Sequence, residues 1–230
     1  MAARSRLSRE RVLEAALRVV DHEGLEALSM RRVADELGVE TMAIYRYTPS
    51  KDDLLDGLVE HLFIELEEML EGATPPAPHA PPGPRGDAAR LWRDALLCIA
   101  QAMYRVALAH PHVVPLVATR PFTVPLTRRP PAVLRAHERL LALLGTAGLD
   151  EDTTLKIYRA FISWVLGYIV IELREVVDNP DESDPAFRLG LHRLPVKEFP
   201  RLRSLGPALA VRGGEEQLTA GLAAILSRYF

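Results

Sequence analysis

Residues 29–51 read SMRRVADELGVETMAIYRYTPSK, and this stretch decides the fold. It resolves into two short helices joined by a tight turn, the layout of a helix-turn-helix unit. Ala34 is small enough to let the second helix approach the first. Gly38 supplies the left-handed backbone of a sharp turn. Ile44 closes the corner from inside, beside Val33, Leu37, Val39 and Tyr47. The arrangement implies DNA reading, so the rest of the chain must explain how that reading is controlled.

Upstream, a first helix runs from about Ser8 to Glu23, capped by Ser8 and ended by Gly24. Val12, Leu13, Ala16, Leu17 and Val20 fall on one face at helical spacing. Ser29 caps the second helix, and the third covers about Glu40 to Tyr47, stopped by Pro49. Ser50 then caps a longer fourth helix striped by Leu55, Leu58, Leu62, Leu66 and Met69. This helix leads out of the three-helix unit and is its mechanical link to the rest of the chain.

Residues 75–84, PPAPHAPPGP, read as an extended linker or exposed loop. A helix from Asp87 carries Trp92, Leu96, Ile99, Met103 and Val106 on one face and stops at His110-Pro111. Residues 111–131 are proline-rich, with room for a short turn of helix, and Ala132–Leu144 is helical. A helix over about 153–177 is apolar nearly all round, which implies burial on several sides. Asp178–Pro185 is acidic and turn-forming, a short helix fits 197–204, and a last striped helix covers Glu215–Tyr229. No stretch alternates with period two. The expected fold is all-α: a three-helix helix-turn-helix DNA-binding domain over 1–50 and a larger helical domain over 51–230, whose apolar helix faces point to dimerisation.

The 230 residues carry a formal net charge of -3 and are 48% apolar. Bulk charge therefore gives no nucleic-acid signal, although residues 1–51 are net +1 and the remainder net -4. A single cysteine, Cys98, excludes an intramolecular disulfide and fits a cytoplasmic location. The basic N-terminus is not followed by the apolar run of a signal peptide. The uncharged run Phe161–Ile171 is shorter than the roughly 20 residues of a membrane span, so no membrane partner is expected.

Helix one, the turn unit, and Ile44-Tyr45-Arg46-Tyr47 leading to Ser50-Lys51-Asp52-Asp53-Leu54-Leu55 resemble the tetracycline-repressor (TetR) family. The match over residues 8–62 is specific; the remainder is similar to the tetracycline repressor's own branch more loosely, through Thr119-Arg120-Pro121 and the acidic Glu172 and Glu175. The resemblance implies a homodimeric repressor on a palindromic double-stranded operator, released by a small molecule. A DNA-binding dimer without such control is the alternative. The helices over 153–177 and 215–229 would build a four-helix bundle with their copies.

Carried over residue by residue, the resemblance places Arg31 on a guanine edge, which suits the bidentate geometry of arginine. Arg32 beside it has the length to reach phosphate instead. Ser29 and Met30 match a helix N-terminus suited to phosphate, and Thr41, Met42 and Ala43 face base edges. Of Tyr45 and Tyr47, one ring packs in the core and the Tyr45 hydroxyl meets phosphate, as does Lys51. The expected ligand-binding residues are Trp92, Met103, Thr119, Arg120, Phe122, Trp164, Tyr168 and Glu172, although each aromatic and methionine also reads as ordinary core. The tetracycline repressor holds a magnesium chelate through a histidine and polar side chains; the matching positions here are Leu116, Glu67, Ile99 and Met103. This departure from the family's pattern implies no metal and no cofactor, and an apolar effector, cationic if Glu172 or Glu175 lines the pocket.

An enzyme finds no support. His137-Glu138 begins like a zinc-protease HExxH, but Leu141 replaces the second ligand. There is no nucleophile elbow and no phosphate-binding glycine loop, so no catalytic residue is expected.

Overall fold

Ser8 opens helix α1 (Arg9–Glu23) by accepting the Arg11 amide on its hydroxyl at 3.2 Å. The computed structural model describes residues 7–72, 85–178, 193–209 and 211–229; the linker over 75–84 and the acidic turn at Asp178–Pro185 fall, but for Asp178, outside them. The predicted face of α1 is the buried one, extended by Ala15 and Val19. Helix α2 (Met30–Leu37) starts on the Ser29 hydroxyl, which accepts the Arg32 amide at 3.1 Å. It ends at Gly38, whose φ of 64° and ψ of 38° are left-handed and strained for any residue with a Cβ.

Helix α3 (Thr41–Ile44) is shorter than the sequence suggests. The Tyr47 amide bonds the Ile44 carbonyl at 2.9 Å, so the chain tightens into a turn before it reaches Pro49. Ile44 is fully buried, with Val33 and Ala34 beside it.

Helix α4 (Lys51–Gly72) is capped by Ser50, whose hydroxyl accepts the Asp53 amide at 3.1 Å. Its buried row includes Leu54, Leu58, Leu62, Leu66 and Leu70, while Leu55 and Met69 are only partly buried. The stripe is shifted by one residue at each end because α4 is sandwiched, with α1 on one side and α5 and α7 on others. At Gly57 the two helices meet so closely that a Cβ would strike the Leu13 side chain. One apolar core thus joins α1–α3 to α4 and reaches Val106 and Val113.

Helices α5 (Arg85–Ala109), α6 (Val114–Thr123), α7 (Pro131–Gly145), α8 (Glu151–Asp178), α9 (Pro200–Leu209) and α10 (Gly214–Leu226) complete the described fold. No strand occurs among the described residues. Instead of a short turn, the proline-rich stretch holds a ten-residue helix, α6. Pro115 lies in its first turn, where no N–H is needed, and Pro121 in its last.

A second core gathers α5, α7, α8 and α10 around Trp92, Leu96, Leu144, Phe161, Leu218 and Leu222. Residues Glu151–Leu173 of α8 are long and apolar enough to cross a membrane. Ile157, Phe161, Val165, Ile169 and Leu173 of that helix are buried in the second core.

Candidate nucleic-acid interface and cavity

Arg31 is exposed on the first turn of α2, as a base-reading side chain must be. Arg32 is not available for phosphate. Its guanidinium donates to Glu23 at 2.9 Å and 2.5 Å and to Glu36 at 3.1 Å, tying α2 back to the end of α1. The hydrogen bond from Arg32 also holds the Glu23 carboxyl below its ordinary range. Ser29 is exposed but uses its hydroxyl as the cap. Met30 is 7% exposed and belongs to the core, so its side chain cannot contact DNA; only its backbone N–H, free at a helix start, can.

On α3, Met42 is 72% exposed, and Thr41 and Ala43 are half-buried. Tyr45 is exposed and Tyr47 packs on the core, the division of labour expected for the pair. Lys51 is exposed at the first turn of α4. Arg46, exposed between the two tyrosines, is a further cation on this turn that the sequence reading passed over.

Further along α4 lies a small cavity of about 50 Å³ that opens to the surface. Its walls come from α4, α5, α6, α7 and α8, and they are mostly apolar: Phe63, Leu66, Ile99, Met103, Val117 and Phe161 among them. A second space of about 40 Å³ lies beside it and shares Phe63, Leu66, Met103, Val117 and Leu166. Glu67, Arg135, His137 and Arg139 are the polar lining of the first. Arg135 meets Glu67 through two hydrogen bonds of 2.8 Å, so these two charges neutralise one another at the wall.

Of the eight expected ligand-binding residues, Met103 lines the cavity. Most of the others are engaged elsewhere. Trp92 is buried in the second core. The Trp164 indole donates to the Leu218 carbonyl at 3.0 Å, and the Tyr168 hydroxyl donates to the Gly214 carbonyl at 2.8 Å. Burial and the Glu172 charge push the Tyr168 phenol up to about 12. Glu172 accepts the Gly214 amide at 2.9 Å. These three side chains fasten α8 to α10 on the side away from the cavity. The Thr119 hydroxyl turns back to the Pro115 carbonyl at 2.7 Å. Arg120 reaches α4, donating to the Asp56 carboxylate and, at 2.8 Å, to the Asp52 carbonyl. The side chains of Phe122 and Glu175 lie outside the described residues.

The positions matching the magnesium-chelating set are unsuited to a metal. Ile99 and Met103 wall the cavity, Glu67 is paired with Arg135, and Leu116 packs on the first core. The sequence reading missed His137, whose only visible signal was a broken zinc motif. Its position on α7, between the cavity and Tyr158, depends on tertiary packing.

A capped helix-turn-helix with an exposed arginine, joined by a long helix to an apolar cavity, is the architecture of a DNA-binding regulator. Residues 12–58 match the model for bacterial regulatory proteins of the tetR family, and residues 84–227 match that for the tetracyclin repressor-like C-terminal domain. The chain belongs to the TetR family of transcriptional regulators. It is 33% identical to the HTH-type transcriptional repressor DrrR1 of Streptomyces coeruleorubidus, over 71% of this chain and 52% of that one; the match spans about half of that relative's length. An HTH-type transcriptional regulator of Saccharopolyspora erythraea is 28% identical over 95% of this chain and 85% of its own. The crystal structure of the Streptomyces coelicolor TetR family protein ActR in complex with actinorhodin superposes with a TM-score of 0.66. That match is at 25% identity and covers 99% of this chain and 95% of ActR.

Proposed function

We propose that this protein is a cytoplasmic repressor that binds a palindromic operator as a homodimer and is released when an apolar, uncharged small molecule fills the cavity. One observation carries the reading: α4 belongs to both sites. It begins at Lys51, beside the recognition helix, and walls the cavity with Phe63, Leu66 and Leu70. Lys51 and Phe63 are about 18 Å apart along one helix. A ligand that binds only one arrangement of α4 must therefore shift the recognition helices.

The DNA side rests on few contacts per chain. Arg31 reads a guanine edge, and Thr41, Met42 and Ala43 suit thymine methyls and one modest hydrogen bond. Ser29 and Met30 through backbone N–H groups, Tyr45, and Lys51 position the unit on phosphate. Two copies with recognition helices about 34 Å apart supply the rest. For the pairing of chains, Ile171 is 75% exposed on α8, and α10 presents the exposed small residues Ala220 and Ala224, which permit close helix approach.

An effector of no net charge replaces the cationic one, because Glu172 is engaged with α10 rather than the cavity. The existence of a cavity also favours ligand control over a plain DNA-binding dimer. The ActR complex with actinorhodin supports the same reading. Selection of bound duplexes from a random pool tests the proposal. A palindrome with half-sites one turn apart is expected; no enriched sequence would contradict it.

A further inference from the structure

We propose that His137 is the polar anchor of the cavity, donating a hydrogen bond from Nε2–H to a carbonyl oxygen on an otherwise apolar ring ligand. The inference rests on the cavity being the effector site and names the chemistry of what it takes.

His137 lines the cavity from α7. Its Nδ1 is 2.8 Å from the Tyr158 hydroxyl, and the two rings sit 6.0 Å apart. A phenol is a better donor and a poorer acceptor than a neutral imidazole. The hydroxyl therefore donates to Nδ1, and the ring proton is confined to Nε2. That nitrogen is shut off from solvent and has no hydrogen-bond partner among the described residues. A buried donor without an acceptor is costly and rare in a native protein, and such a group calls for an explanation.

Of the other polar groups in the wall, Glu67 and Arg135 are bonded to each other, and Arg139 is partly exposed to solvent. The remaining lining is largely hydrocarbon and aromatic, with Phe63 and Phe161 suited to a flat ring. Burial, together with the nearby Arg129 charge, keeps the His137 ring neutral by holding it below its ordinary value. A neutral donor in an apolar space selects a neutral acceptor. A ketone or quinone oxygen fits, a carboxylate less well, and an ammonium not at all.

The test uses 1-indanone and indane, which share a bicyclic shape and differ by one carbonyl. Binding to the full-length protein is followed through the methyl signal of Met103, which lines both spaces. The ratio of the indane Kd to the 1-indanone Kd is compared between wild type and His137→Phe, so that their differing water solubilities cancel. The ratio is expected to fall about 3- to 10-fold in the variant. An unchanged ratio overturns the anchor and leaves the cavity standing as the binding site. If neither compound shifts Met103 at millimolar concentration, the cavity reading fails and the anchor fails with it.

A second measurement needs no variant. Nitrogen NMR of the wild-type histidine ring should find the proton on Nε2, with that signal moved by 1-indanone and not by indane. A proton on Nδ1, or equal shifts from both compounds, overturns the proposal.

Discussion

Arg120 on α6 donates from its Nε to the Asp56 carboxylate on α4, while the next residue, Pro121, walls the cavity. One residue step therefore separates a cavity wall from the clamp on the helix that leaves the DNA-binding unit. The clamp is completed by the Asp52 carbonyl, one turn nearer Lys51. Burial works against the Arg120 charge, but Asp56 and then Asp52 outweigh it and push the guanidinium up.

Arg120→Met should loosen α4 without disturbing the base-reading surface. Because Asp56 is 42% exposed, the stability cost should be only about 0.2–1 kcal/mol. Operator affinity should fall about 2- to 30-fold with base preference retained. Fluorescence anisotropy on the selected duplex and on its single-base variants checks both parts.

The α1–α4 contact is equally specific. A Cβ at residue 57 would strike Leu13, which is itself buried. Overpacking against Leu13 should offset or outweigh alanine's helix propensity, so Gly57→Ala should cost about 0–2 kcal/mol net in urea unfolding, and shortening the obstacle with Leu13→Val in the same chain should recover part of that loss. A gain of about 1 kcal/mol, the full helix-propensity advantage of alanine, would mean that the helices are further apart than described.

Acid should unfold the protein partly through His137. Burial first, and Arg129 second, depress its folded value below the ordinary 6.5. Above about pH 7.5 the ring is neutral in both states and contributes no slope. As the pH falls below that, the unfolded chain takes up the proton first, so stability is lost until the folded ring also protonates. The His137→Phe variant should lack this component, worth at most about 1.4 kcal/mol per pH unit. Urea midpoints of the two proteins from pH 7.5 down to 5 would expose the difference; parallel curves would contradict it.

Ile171 tests the pairing of chains. At 75% exposed, its replacement by glutamate should leave the fold of one chain within about 0.5 kcal/mol of wild type. If α8 faces its copy, Ile171→Glu gives a monomer in sedimentation and abolishes tight operator binding. A dimer that still binds DNA would remove α8 from the interface.

Much of the DNA-binding unit was legible because its determinants are local. Ser8, Ser29 and Ser50 cap their own helices, Gly38 adopts its own left-handed turn, and Pro49 lies just past the turn at Tyr47. Met30 misled because its place at a helix start does not reveal that the side chain folds under into the core. The cavity was far less legible. Trp164, Tyr168 and Glu172 have the composition of a binding wall, yet they face α10, and only three-dimensional packing decides which side of α8 they occupy. Arg120 likewise announces a charge but not its partner 64 residues earlier.

The most direct test of the account is base-resolved binding of Arg31→Ala beside Arg32→Ala, using the selected duplex. Arg31→Ala should lose about 1–3 kcal/mol and relax discrimination at one base pair in each half-site. Arg32→Ala, whose guanidinium is held by Glu23 and Glu36, should leave that discrimination intact. Uniform loss across all sequences with Arg31→Ala, or no loss, would contradict the assignment of α2 and α3 as the surface that reads DNA.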